Sequence, residues 1–114
     1  MSDCLFCKII KGEIPSKKVY EDKYVYAFHD ISPMAPVHIL VIPKEHIASV
    51  NEINIDNCEV VAKMMLIASQ IAKEQGLSEA GYRIVTNCGK NGGQTVNHLH
   101  FHLLGGKKLE TNLA

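Results

Sequence analysis

Hydrophobic and polar positions recur along this chain with two periods, one typical of helices and one typical of strands. From residue 56 to Gly76, apolar residues return every three or four positions, which predicts one long helix. The segment 56–59 resembles a capping box at its start. The apolar positions are Val60, Val61, Met64, Ile67, Ala68, Ile71 and Ala72. Helical spacing over residues 4–11, ending at Gly12, predicts a second, short helix.

Five shorter apolar segments predict β-strands. Residues 19–21 and 24–28 form a hairpin around a turn at Asp22-Lys23, and residues 82–86 and 98–103 form two further strands. Residues 37–42 are nearly all apolar, as in a central strand buried on both faces, whereas the prolines of 31–36 predict a loop. Two helices are too few for regular parallel crossovers. The pattern therefore predicts an α+β fold with a mostly antiparallel five-stranded sheet, one long helix and one short helix.

The last predicted strand carries three alternating histidines, His98, His100 and His102. Because strand side chains alternate between faces, the three imidazoles share one face and the apolar residues between them face a core. A surface stripe or a fortuitous metal site is the alternative interpretation. The Gly-rich segment 87–95 just before this strand leaves room for an anion near backbone N–H groups, unless it is a plain hairpin loop. Imidazoles beside a phosphate suggest phosphoryl or nucleotidyl chemistry.

Composition narrows the choice of partner and compartment. The chain has 114 residues, 46% of them hydrophobic, which suits a single domain. Twelve basic and twelve acidic residues cancel without a basic stripe, so a small ligand is a better expectation than a nucleic acid polymer. No apolar segment has the length of a signal peptide or a membrane span, so we expect no membrane association and a cytoplasmic location. Cys4 and Cys7 form a Cys-x-x-Cys pair, which favours a metal or redox role in that compartment over disulfides.

The segment from Gly92 to Gly106, Gly-Gly-Gln-Thr-Val-Asn-His-Leu-His-Phe-His-Leu-Leu-Gly-Gly, resembles the histidine triad (HIT) family. Its glycine ending resembles the HINT-like nucleoside phosphoramidase branch, as do the segments 27–33, 35–38 and 41–46. The similarity covers about residues 4 to 106. It implies a single HIT domain at 1–106, a C-terminal tail at 107–114, and a homodimer joined through the long helix and the strand after it.

The resemblance also implies catalytic roles. His100 would be the nucleophile that attacks an α-phosphate, and His102 would contact the phosphate. His38 matches a fourth family histidine, although a buried histidine bonded to backbone is an equally good interpretation of its sequence context. Thr95 stands where the branch often has serine and keeps a hydroxyl for the leaving amine.

Nucleotide-binding residues follow from the same resemblance. Asp30 and Ile31 match ribose contacts. The phosphate and leaving group would lie among Asn87, Gly93, Gln94 and Thr95. The base pocket would consist of Leu5, Phe6, Ile9, Phe28 and Ile31. Any one of these apolar residues could equally be part of the core.

Cys4, Cys7, His46 and His98 supply the four ligands of a tetrahedral zinc site, a set that some HIT relatives use. Such an ion would be structural, and catalysis would require no metal. Buried free thiols are the alternative.

The implied function is a nucleotide hydrolase that cleaves purine nucleoside 5′-phosphoramidates, or acyl- or aminoacyl-AMP, to AMP through a nucleotidylated histidine. A dinucleoside polyphosphate hydrolase and a nucleotide-binding adaptor are the alternatives. The sequence Leu104-Gly105-Gly106 disfavours the former, and the intact triad disfavours the latter.

Overall fold

One five-stranded antiparallel sheet organises the protein, as a computed structural model that describes residues 3–112 shows. The strands are β1 (Lys18–Glu21), β2 (Val25–His29), β3 (Val37–Pro43), β4 (Arg83–Val85) and β5 (Phe101–Gly105). The helices are α1 (Leu5–Ile10) and α2 (Cys58–Glu74), with a short 3₁₀ turn at Val50–Glu52. The strand order is β1-β2-β3-β5-β4, and every neighbouring pair is antiparallel. The predicted α+β class is confirmed.

Strand β3 is the middle strand, as its apolar sequence predicts, and the β1-β2 hairpin flanks it on one side. The hairpin turn forms because Asp22 Oδ1 accepts the backbone N–H groups of Tyr24 at 2.7 Å and Val25 at 2.8 Å. The β2-β3 register places Phe28 opposite Leu40 and His29 opposite Ile39. The C-terminal end of β2 and the start of β3 therefore lie side by side, and residues 30–36 connect them.

Helix α2 covers one face of the sheet. Its buried residues are Val60, Met64, Ile67, Ala68, Ile71 and Ala72, which are six of the seven predicted apolar positions. The predicted capping box is wrong, since the N-cap Asn57 makes no side-chain cap bond. Asn57 Oδ1 instead accepts the N–H of Asn54 at 2.7 Å, so a local turn takes the oxygen that would have capped the helix.

Helix α1 covers part of the opposite face, and this second layer positions the site. Phe6 and Ile9 of α1 are buried with four sheet residues, Tyr26, Phe28, Leu40 and Ile42. Cys4 is the N-cap of α1, and its Sγ accepts the N–H of Cys7 at 3.4 Å. The N-terminal Cys-x-x-Cys segment is thereby held against the histidine-bearing face.

The strand predicted at 98–103 is shifted in the structure, where β5 begins only at Phe101. Its ladder with β3 starts at the Val41–Phe101 pair, and Pro43, two residues further along β3, has no N–H to continue it. The Leu99 N–H donates instead to Ile47 O at 2.6 Å. Alternation nevertheless persists, because Leu99, Phe101 and Leu103 all enter the core under α2.

Two further observations concern the remaining predictions. The described part of the tail contacts β4, since the Arg83 guanidinium donates to the carbonyl of Glu110. Residues 1, 2, 113 and 114 lie outside the described residues, so the outer parts of the predicted domain and tail do too. Within residues 3–112, no helix has both the length and the apolarity needed to cross a bilayer.

Candidate functional site

Three imidazoles lie in a continuous row on the α1 side of the sheet. The ring centroids of His38 and His102 are 5.1 Å apart, and those of His102 and His100 are 5.0 Å apart. Phe6 packs its ring edge-to-face on His100 with centroids 5.1 Å apart. His38 and His100 are buried, with 5% and 4% exposure, so their orientations are fixed by packing and hydrogen bonds.

The hydrogen bond of His100 determines its tautomer. His100 Nδ1 lies 2.7 Å from the carbonyl oxygen of His98, which can only accept, so Nδ1 carries the proton. The Nε2 atom therefore holds the lone pair. Every buried side-chain nitrogen of residues 3–112 has a hydrogen-bond partner. Nε2 of His100 has no such partner, so it is not fully buried and reaches the surface of the site. Thr86 Oγ1 donates to the His100 carbonyl at 2.8 Å and fixes the backbone.

A second chain of hydrogen bonds determines the tautomers of His38 and His102. The backbone N–H of Met34 donates to His38 Nδ1 at 3.0 Å, which leaves the His38 proton on Nε2. His38 Nε2 then donates to His102 Nδ1 at 2.9 Å, which leaves the His102 proton on Nε2. The site thus presents a lone pair on His100 beside an N–H donor on His102.

Burial keeps His38 and His102 uncharged near neutrality. It is the main reason why the pKa of His102 is lowered to about 4, and the neighbouring His100 and His38 lower it further. Burial also lowers the pKa of His38, and the carboxylate of Asp30 partly offsets this effect. Both rings are therefore neutral at pH 7, as the tautomers require.

Asp30 lies at the edge of this row. Its Oδ1 accepts the N–H of Ser32 at 2.7 Å, and its Oδ2 lies 3.5 Å from His38 Nε2. Asp30, His38 and His102 are close enough to suggest a metal site. The hydrogen bond from Met34 argues against it, because a metal on His38 Nε2 would move the proton to Nδ1, which already accepts an N–H.

An open cleft of about 640 Å³ begins at Asp30 and His38, within the size range of small-molecule sites. It crosses the end of β2 to the segment before β1. Ile31, predicted to contact ribose, is 96% exposed on its rim. Leu5 is 44% exposed, whereas Phe6, Ile9 and Phe28 are buried in the core under α1. The five predicted base-pocket residues thus do not form one open pocket here, and their contact with a base stays a prediction.

The Gly-rich loop is braced internally. Gln94 Nε2 donates to Ala48 O at 2.7 Å and to Val96 O at 2.9 Å, so its two amide hydrogens are used. Asn87 Nδ2 donates to Gly92 O at 2.7 Å. The backbone N–H groups of Gly93 and Gln94 donate to carbonyls of the same loop at 3.1 and 3.0 Å. A phosphate contact from the Gln94 amide hydrogens, or from the backbone N–H of Gly93 or Gln94, would require these bonds to be exchanged.

Thr95 lies in the loop just before the histidine-bearing segment. Thr95 is exposed and lines a second cleft beside Cys4, Leu5 and His46. No hydrogen bond joins Thr95 to His100 within the described chain. Its predicted contact with a leaving group stays a prediction.

The second cluster consists of Cys4, Cys7, His46 and His98, whose potential ligand atoms all lie within 4.8 Å of one another. Cys4 Sγ lies 3.4 Å from His98 Nδ1, and Cys7 Sγ lies 3.6 Å from it and 3.3 Å from His46 Nδ1. Zinc with tetrahedral bonds to sulfur and nitrogen separates two such ligands by about 3.6 Å. The four residues therefore fit a zinc ion in donor type and in spacing.

His98 has the tautomer that a zinc ligand needs, and it also connects the cysteine-histidine cluster to the row of imidazoles. Its Nε2 donates to Pro43 O at 2.8 Å, so its Nδ1 carries the lone pair that faces the two sulfur atoms. Burial is the largest cause that lowers the pKa of His98 to about 4, which keeps this nitrogen unprotonated at neutral pH. The backbone carbonyl of His98 meanwhile accepts from His100. His98 thus contributes its side chain to the cysteine-histidine cluster and its backbone carbonyl to the row of imidazoles.

Comparisons with known proteins agree with this fold. The family model of the HIT domain matches residues 11–109. A HIT family hydrolase from Clostridium thermocellum superposes with a TM-score of 0.97 at 51% identity, over 100% of this chain and 99% of that one. The purine nucleoside phosphoramidase of Escherichia coli is 46% identical over 98% of this chain and 94% of its own length. The chain belongs to the HIT family.

Sequence reasoning missed two contributors to the site. Thr86 positions the backbone of His100, and the Met34 N–H fixes the tautomer of His38. Thr86 ends a predicted strand and Met34 lies in a loop, so neither has a local pattern that indicates its role. The structure does bring together the predicted His38, His100 and His102, and separately the predicted ligands Cys4, Cys7, His46 and His98.

Proposed function

We propose that this HIT protein is a hydrolase of purine nucleoside 5′-phosphoramidates, or of the related acyl- and aminoacyl-adenylates, and that it releases the nucleoside monophosphate. One observation carries the proposal: the Nδ1–H of His100 is bonded to the His98 carbonyl, which leaves Nε2 as a fixed, accessible nucleophile. The relative named as a purine nucleoside phosphoramidase supports this substrate class.

In the first step, His100 Nε2 attacks the α-phosphorus and the bond to the leaving amine breaks. The ring of His100 becomes positively charged, and the His98 carbonyl at 2.7 Å stabilises this charge. His102 Nε2–H donates to a phosphate oxygen as negative charge moves. The leaving amine takes a proton from the His102 side of the site or from the Thr95 hydroxyl.

In the second step, water attacks the phosphorus, its proton returns to the group that protonated the amine, and the bond to His100 Nε2 breaks, which restores the neutral imidazole. Asp30 holds the ribose hydroxyls at the edge of the same row through Oδ2, because Oδ1 is already bonded to Ser32. His38 acts as a positioning residue, since it orients His102 without reaching the phosphate in this scheme.

Steady-state turnover of an AMP or GMP phosphoramidate, compared with that of a diadenosine polyphosphate, tests the proposal. We expect the phosphoramidate to be the better substrate by at least about tenfold in kcat/KM. Preference for the dinucleotide would indicate the polyphosphate hydrolase, and turnover of neither would indicate an adaptor.

Asp30→Asn should mainly raise KM, since ribose binding contributes to ground state and transition state alike. Removing the hydroxyls with a 2′,3′-dideoxy substrate should then lower the kcat/KM of this variant little further.

We propose that Cys4, Cys7, His46 and His98 hold one structural zinc ion. The ion would fix the N-terminal segment and α1 to the histidine-bearing face. Burial raises the pKa of the Cys7 thiol, so zinc binding must displace a proton from it. Four protein ligands leave no open position for water, so the chemistry proposed above requires no metal.

We also propose that the active form is a homodimer in which β4 and α2 meet their copies. Strand β4 is an edge strand, so one side of its backbone is free to pair with another strand. Helix α2 exposes Met65 and Leu66, which are 47% and 58% accessible. Light scattering should give twice the 12.6 kDa mass of the chain, and a monomer at micromolar concentration would contradict the proposal.

A further inference from the structure

The cleft that begins at Asp30 and His38 ends on a wall of hydrogen-bond donors. The N–H of His29 donates to Lys17 O at 3.0 Å, which places residues 16 and 17 across β2 from the start of β3. Two strand spacings, about 10 Å, therefore separate His38 from this wall. Ser16 and Lys17 both line the cleft. A nucleoside whose ribose lies at Asp30 would direct its base toward them.

Tyr26 stands behind Ser16 and fixes the direction of its hydrogen bond. Ser16 Oγ and Tyr26 Oη are 2.7 Å apart. Tyr26 is only 7% exposed, and Ser16 is the one partner that its hydroxyl has among residues 3–112. We assign the phenol as the donor to Ser16, because its hydrogen would otherwise have no acceptor among the described residues. The hydroxyl hydrogen of Ser16 is then available to the cleft.

Lys17 adds a second donor to the same wall. Its ammonium group has no hydrogen bond or ion pair within the described chain, and ammonium can only donate. A purine with a 6-oxo group offers these donors two adjacent acceptors, O6 and N7. Adenine offers N7 alone, because its 6-amino group is itself a donor.

We propose that Ser16, held by Tyr26, is a specificity-determining residue that donates to O6 of the purine base and makes the protein prefer 6-oxopurine nucleotides over adenine nucleotides. The proposal rests on the proposed function for the position of ribose and phosphate. A chain of two hydroxyl donors strengthens the second hydrogen bond, since each bond polarises the next. The preference is therefore a property of the Ser16–Tyr26 pair.

The test compares kcat/KM for guanosine, inosine and adenosine phosphoramidates in the wild type, Ser16→Ala, Tyr26→Phe and the control Ser78→Ala. Ser78 is exposed after α2, and its side chain makes no hydrogen bond in the described structure. We expect a guanosine-to-adenosine ratio above one in the wild type and in Ser78→Ala. The ratio should fall about threefold to tenfold in Ser16→Ala, the value of one neutral hydrogen bond, and by less in Tyr26→Phe.

Equilibrium affinities for GMP, IMP and AMP by calorimetry separate this inference from the proposed function. Phosphoramidate turnover with the same base ratio in wild type and Ser16→Ala would overturn the inference alone. Absence of turnover would overturn the proposed function, and the GMP-to-AMP affinity ratio of Ser16→Ala would still decide the inference. An affinity ratio that Ser16→Ala leaves unchanged, or no binding of either nucleotide, would reject it.

Discussion

Replacing His100 by alanine or glycine should abolish hydrolysis while AMP still binds. The proposed covalent route depends on His100 Nε2, whereas the proposed ribose and base contacts come from β2 and the segment before β1. We expect kcat/KM to fall by more than about a thousandfold, as it does when an enzyme loses its nucleophile. Rapid quench of the wild type with an AMP phosphoramidate should trap nucleotidylated protein, and the variants should form none.

Added imidazole provides the matched control. In His100→Gly the missing ring leaves a space beside Phe6 and His102, and free imidazole in that space should restore part of the turnover. Rescue would show that the variant is folded and lacks only the nucleophile. Turnover within about tenfold of wild type in unrescued His100→Ala would instead disprove the assignment.

Cys4→Ser and Cys7→Ser should release zinc and lower the melting temperature. Elemental analysis of the purified wild type should give about one zinc per chain. Losing it should lower Tm by about 10 °C or more, given that 1 kcal/mol shifts Tm by ~4 °C in a chain of this size. Much of the hydrolase activity should remain, because none of its proposed steps uses the ion. His98→Ala should impair both properties, since it removes a zinc ligand and also the bond from His98 Nε2 to Pro43 O, which holds the backbone whose carbonyl accepts from His100.

Cys58→Ser is the control for these variants, because Cys58 is partly exposed at the start of α2 and is absent from the cluster. It should retain zinc and Tm. Folded wild-type protein without metal, unaffected by a chelator, would mean that Cys4 and Cys7 are simply buried thiols. Activity that falls in proportion to zinc removal would contradict the structural role and make the ion catalytic.

The elements of the fold that could be predicted from the sequence are those whose local residue pattern determines how they pack. The period of α2 predicts its buried face because all of that face packs on the sheet, and the apolar run of β3 predicts its central place. The structural role of Gly106 could be predicted from the sequence only in part. Its φ of 92° and the 2.9 Å that a Cβ would leave to Pro36 explain why the chain needs glycine there, whereas the sequence indicates only a strand end.

The details of the site depend on tertiary contacts that no local pattern contains. The start of β5 depends on the missing N–H of Pro43, a residue 58 positions before Phe101 in the chain. The side chain of Gln94 donates to the carbonyls of Ala48 and Val96. The sequence alone could not distinguish this structural role from a role in binding phosphate. The tautomers of His38 and His102 depend on one backbone N–H in a loop. Residue types were therefore predictable, but protonation and hydrogen-bond direction were not.

Strand β5 lies between two neighbours, with Leu103 paired to Ile39 of β3 and to Ile84 of β4. A change of one residue in the length of this segment would exchange its two faces and turn the imidazoles toward α2 and the core leucines toward the ligand. Insertions and deletions between residues 98 and 104 are therefore excluded, even where substitutions are tolerated. We expect changes in length to be tolerated instead in segments such as 107–112, whose loss exposes no interior strand.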